Sequence, residues 1–143
     1  MRLRLIAFVA VIAVAVPAVA LGSSAKTLEF EAYLLGKNET PAGPAKGTGT
    51  VNLKITGSKV CWKFTKLKGF GTPLVAHIHK GNAGKSGPVY IPLGGAFKAS
   101  GCFTAPASSS TAAIAKNPKG FYVNIHTKKF PNGAVRGQLH AGD

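Results

Sequence analysis

Gly49-Thr50-Val51-Asn52-Leu53-Lys54-Ile55-Thr56, then Gly57-Ser58, then Lys59-Val60-Cys61-Trp62-Lys63-Phe64-Thr65: this stretch decides the fold class. Val51, Leu53 and Ile55 alternate with Thr50, Asn52, Lys54 and Thr56 in the first run. Val60, Trp62 and Phe64 alternate with polar neighbours in the second. Successive side chains leave a strand on opposite sides, so this period of two predicts two half-buried β-strands. Gly57-Ser58 turns one into the other. Cys61 falls on the outer face beside Lys63, so a disulfide from it is expected to tie surfaces or edges rather than cross the core.

The same pattern extends both ways. Leu28, Phe30, Ala32 and Leu34 alternate with Glu29 and Glu31 over residues 27–34, another strand. Asn38, Pro41, Gly43 and Pro44 make 35–47 a loop. Further strands are expected at 75–79, 89–93, 101–104, 121–127 and 134–140. Residues 108–116 read as the one short helix: Ser108 to Ser110 offer N-cap oxygens, alanines follow, and Asn117-Pro118 stops it. Seven or eight short strands with frequent turns predict an all-β chain, an antiparallel β-sandwich or barrel.

The N-terminus reads as an address. Arg2 and Arg4 precede an unbroken apolar run from Leu5 to Val16, Pro17 ends it, and Ala18-Val19-Ala20 supplies small residues for cleavage. That order is a secretory signal peptide over residues 1–20, followed by a single domain over 21–143. The run is short of the roughly 20 apolar residues a membrane span needs, so no span is expected after cleavage. The expected location is extracellular. There an isolated pair of cysteines, Cys61 and Cys102, is expected to form a disulfide.

Charge narrows the chemistry. The chain has 143 residues, 18 Lys plus Arg, 4 Asp plus Glu, and a formal net charge of +14. Four carboxylates leave little for a glycosidase or an aspartic protease, and little for an oxygen-rich Ca²⁺ or Mg²⁺ cage. No G-x-S-x-G elbow is present, and Gly84-Lys85-Ser86 lacks the phosphate-loop spacing. The segment from Gly81 to Pro88 reads instead as a long hairpin loop. The lysines are scattered and the only arginine after the signal is Arg136, so nucleic acid is not an expected partner. Outside the cell, anionic cell-wall or glycan polymers, or an extracellular protein, are the partners such a surface suits.

The histidines are His77, His79, His126 and His140. His77 and His79, two apart on a strand, share a face. His126 lies in another predicted strand with Tyr122 and Asn124 on its face. If the two strands are neighbours, three imidazoles converge as a Cu or Zn site with an open position. The other reading is structural, each ring donating to a backbone carbonyl or to Asn124. No acid lies nearby to orient a ligating ring, although a carbonyl can. His140, near the end, is expected to be exposed.

Two blocks carry a family likeness. Ala76-His77-Ile78-His79-Lys80-Gly81, with Gly84 and Gly87-Pro88-Val89, resembles the first signature of the CHRD domain, named for chordin. Phe121-Tyr122-Val123-Asn124-Ile125-His126-Thr127, followed by Phe130-Pro131-Asn132-Gly133-Ala134-Val135-Arg136-Gly137-Gln138-Leu139, resembles the second. Cys61 and Cys102 resemble the cysteine pair of bacterial members. The resemblance implies an immunoglobulin-like β-sandwich with a distant similarity to copper-zinc superoxide dismutase. It implies copper ligation by His77, His79 and His126, while the bridging histidine and zinc cluster have no counterparts here. The expected function is therefore a secreted, non-catalytic extracellular binding or structural module. The alternative is a histidine-coordinated copper protein with a dismutase-like site remnant.

Overall fold

The structure, a computed structural model, describes residues 25–142; the expected signal segment lies outside them. Nine strands follow in order: β1 (Thr27–Leu35), β2 (Thr48–Thr56), β3 (Lys59–Lys68), β4 (Pro73–Lys80), β5 (Val89–Pro92), β6 (Ser100–Thr104), β7 (Phe121–Thr127), β8 (Val135–Gln138) and β9 (His140–Ala141). One helix, α1 (Thr111–Lys116), and 3-10 turns at Gly36–Asn38 and Pro118–Gly120 complete the described elements. The strands form one antiparallel sheet ordered β5-β4-β7-β8-β1-β2-β3-β6, nearly closed into a barrel-like sandwich, with β9 on β1. The all-β expectation with a single short helix holds.

The decisive hairpin forms as its alternation demands, with Leu53 opposite Trp62 and Ile55 opposite Val60. Val51, Leu53 and Val60 are fully buried, and Ile78, Ile91, Val123 and Ile125 meet them in one core. Each such side chain contributes about 1.5–3 kcal/mol on leaving water. Thr50, expected outward, is buried, beside the register shift between Thr48 and Thr50. The two halves of the sheet meet where β8 crosses β1, with Leu35 opposite Arg136. Gly137 permits that crossing, since a Cβ there would fall 2.2 Å from the Tyr33 carbonyl oxygen.

Cys61 and Cys102 lie directly opposite each other on β3 and β6 and are bonded. The bridge ties adjacent strands on the outer face, as expected, and closes a sequence separation of 41 residues. On the chain-entropy account that stabilises by about 4 kcal/mol.

Three expectations need correction. The helix starts at Thr111, not Ser108, and Ser110 makes no side-chain cap. Ser109 Oγ instead donates to the Tyr90 carbonyl at 2.6 Å and the Ser110 N–H donates to Tyr90 Oη at 2.7 Å. The final strand is two: pairing breaks at Leu139, whose N–H donates to the Phe121 carbonyl. His140 is half-buried rather than exposed, stacked on Tyr33 with ring centroids 5.3 Å apart.

Candidate metal centre

Strands β4 and β7 are neighbours, which places His77 opposite Asn124, His79 opposite Tyr122 and Val75 opposite His126. Ala76 and Ile78 take the core side of β4, and Val123 and Ile125 that of β7. The alternation therefore sends His77, His79, Tyr122, Asn124 and His126 to the other face. One nitrogen from each of His77, His79 and His126 lies within 4.8 Å of the other two. All three predicted ligands are brought together; His140, on β9, is not among them.

The hydrogen bonds fix which nitrogens are free. His79 Nδ1 lies 2.9 Å from the Gly87 carbonyl and His126 Nδ1 lies 2.8 Å from the Pro131 carbonyl. A carbonyl only accepts, so both Nδ1 atoms carry protons and both Nε2 atoms hold lone pairs. His79 Nε2 is buried with no partner among the described residues. His126 Nε2 lies 3.2 Å from His77 Nδ1 and 3.1 Å from Asn124 Oδ1. Both sequence readings are thus visible at once: rings anchored to carbonyls and to Asn124, and ring nitrogens left facing one another.

Electrostatics keep His77 and His79 neutral. Burial, with His126 and His79 as neighbours, lowers the pKa of His77 to about 4. Burial also lowers that of His79, against the opposing Gly87 hydrogen bond. Neutral imidazole is the ligating form, so these rings need not lose an added proton at physiological pH to bind a cation. A common ion 2.0–2.1 Å from each nitrogen holds ligand pairs roughly 3.3–4.1 Å apart. The His77–His126 pair stands close to that separation, and the cluster as a whole needs its widest pair to close by an ångström or so. His77 and His126 are only partly buried, which leaves one side of the centre open.

The orienting partners come from a loop. Residues 81–88 cross from β4 to β5 as the expected hairpin loop, with the Lys80 N–H donating to the Pro88 carbonyl. Gly87 sits against the hairpin base, where a Cβ would fall 1.8 Å from the Lys80 carbonyl oxygen. Only glycine allows that approach, and it aims the Gly87 carbonyl at His79 while the Gly87 N–H donates to Tyr122 Oη at 3.2 Å. The Tyr122 ring stacks on His79 at 4.8 Å with an interplanar angle of 7°.

Sequence reasoning missed Arg136. It is 1% exposed on β8, opposite Asn124. Its Cζ lies 4.0 Å from the Tyr122 ring centroid, and its Nη2 donates to the carbonyls of Asn82 and Lys85. The signal was available: one arginine beyond residue 20, in a stretch that otherwise uses lysine, where a planar fork serves several carbonyls as lysine cannot.

A family model for the CHRD domain matches residues 30–139. No curated protein and no solved structure matches the chain, and the expected similarity to copper-zinc superoxide dismutase is not confirmed.

Proposed function

The chain belongs to the CHRD domain family, and on that footing we propose that it is an exported, non-catalytic binding module whose ligand is a copper ion held by His77, His79 and His126. The observation that carries this reading is the convergence of three ring nitrogens within 4.8 Å, two of the rings oriented by backbone carbonyls. Backbone carbonyls take the part that carboxylates play behind many metal-bound histidines. Three imidazoles suit copper or zinc, and the usual affinity order favours Cu²⁺ over Zn²⁺. Bound copper would supply a Lewis-acid and one-electron centre. The chain's part is to orient the rings, keep them unprotonated and leave one side open. Among the described residues no carboxylate stands among the rings' hydrogen-bond partners to move protons for a catalytic cycle, which supports binding over turnover. The disulfide and the apolar run of residues 5–16 support export.

Titration of the mature protein with Cu(II) tests this. One equivalent is expected to bind, raising stability by about 2.7 kcal/mol at a free concentration 100 times the Kd. The His77→Ala/His126→Ala variant is expected to show neither effect. Absence of stoichiometric binding, or binding indifferent to those substitutions, removes copper and leaves the histidines as a structural cluster.

A further inference from the structure

A second polar site lies on the same sheet face, beyond Tyr122. A cleft of about 290 Å³ opens between the Gly36–Asn38 turn and the 81–88 loop, walled by Lys37, Asn38, Glu39, Gly84, Arg136 and Gln138. Arg136 is 1% exposed and Glu39 is 6% exposed. Arg136 Nη1 and Glu39 Oε1 are both buried, and neither has a hydrogen-bond partner among the described residues. Nor do the two pair with each other, since the ion pair found among those residues is Lys54–Glu29 on the surface. The remaining polar neighbours are already engaged. Gln138 Nε2 donates to the carbonyls of Gly81, Lys119 and Phe121, and Asn38 Nδ2 donates to that of Arg136. A buried donor and a buried acid left unserved by the fold are costly in a folded protein, and a ligand that serves both offsets the cost.

We propose that this cleft binds a small carboxylate, of the size of a single sugar acid, between Arg136 and Glu39. A carboxylate is planar and accepts from a guanidinium N–H in a charge-assisted bond. Its second oxygen can accept the proton of Glu39, whose carboxyl burial pushes up to about 7 against the opposing Arg136 charge. Two carboxyl groups at close quarters hold one proton between them, because both cannot ionise. A phosphate dianion brings a second negative charge toward Glu39 and is the poorer fit. Lys37, exposed at the rim, adds attraction for an anion. The volume exceeds what a bare carboxylate fills, leaving room for a ring. This inference needs no metal at the histidines and stands or falls separately from the copper reading.

The experiment is an amide NMR titration of the mature protein with glucuronate, acetate, glucose and inorganic phosphate. Expected are saturable shifts at Asn38, Gly84 and Gly137 with glucuronate, weaker binding of acetate, and none of glucose. Arg136→Lys should weaken glucuronate at least tenfold and Lys37→Gln about threefold. Glu39→Gln keeps a donor and should retain binding, whereas Glu39→Ala should lose about fivefold. Should Arg136→Lys fail to fold, the Gln/Ala pair at position 39 carries the test. The proposal is overturned by no saturable shift up to about 20 mM glucuronate. An equal response to glucose, tighter binding of phosphate, or affinity indifferent to Glu39→Ala and Lys37→Gln would overturn it too.

Discussion

The three-histidine centre and the Glu39–Arg136 cleft share one sheet face, on either side of Tyr122, and they handle buried polarity in opposite ways. In the centre, His79 and His126 each spend one nitrogen on a backbone carbonyl and keep the other for the cluster. No permanent charge stands in that cluster, and the groups face their own kind. In the cleft, a permanent cation and an acid lie near enough for the arginine to act on the carboxyl, yet each keeps an unserved atom. Burial acts on both, lowering the pKa of His77 and raising that of Glu39. The difference is that a ring has two nitrogens to divide between fold and ligand. Arginine divides its fork similarly, whereas the Glu39 Oε1 atom is committed to neither.

Arg136 gives the largest expected effect on this contrast. Replacing it with Met removes the donors to the Asn82 and Lys85 carbonyls and the cation over Tyr122. A loss of about 3–4 kcal/mol in urea denaturation is expected, from buried groups left unpaired. His77→Gln, at a partly open position, should cost about 1 kcal/mol without metal. If the two cost the same, the cleft is no more deeply built into the fold than the centre.

The pH dependence of stability breaks the comparison from another side. His77 titrates at about 4 in the folded chain, below its ordinary 6.5, so its contribution is present above 6.5 and is lost as pH falls toward 4. Glu39 titrates at about 7, above its ordinary 4.5, so its contribution is present below 4.5 and is lost as pH rises through 7. Each amounts to about 3 kcal/mol over its window, and between pH 4.5 and 6.5 the two slopes oppose. The lowered pKa of His79 acts in the same direction as that of His77, so the stability of the unsubstituted protein should fall on acidification across that interval. Glu39→Gln should steepen that fall, and His77→Gln should flatten it. Parallel profiles for both variants would show that the two regions do not offset each other.

The smallest expected effect concerns the ring between them. Tyr122→Phe loses the bond accepted from the Gly87 N–H but keeps the stack on His79 and the face toward Arg136. It should cost about 1 kcal/mol and change copper affinity less than threefold. A larger drop in copper affinity would show that the hydroxyl, through Gly87, governs how His79 is aimed.

Much of this was legible along the chain and some was not, for physical reasons. The alternation at Val51-Leu53-Ile55 and Val60-Trp62-Phe64 reports burial directly, so β2 and β3 were readable, and β7 was readable end to end from Phe121 to Thr127. The shared face of His77 and His79 follows from the same period of two. That β4 lies beside β7 does not, because pairing across more than 40 residues leaves no local trace. The Gly87 and Pro131 carbonyls that orient the rings are backbone atoms, identical at every residue, and only the path of the loop selects them. Arg136 and Glu39 were passed over because charged residues are ordinarily exposed. Here the outer sheet face is roofed by loops. Ser108 to Ser110 misled for a related reason: Tyr90, far off in sequence, engages Ser109 and Ser110.

The hairpin loop of residues 81–88 supplies backbone atoms to His79, Tyr122 and Arg136 within eight positions. Its tip, at exposed Ala83 and Gly84, looks from outside like an ordinary place to lengthen the chain or to cut it. Any graft there would shift the spacing of three carbonyls and one amide together, so tags and insertions belong elsewhere.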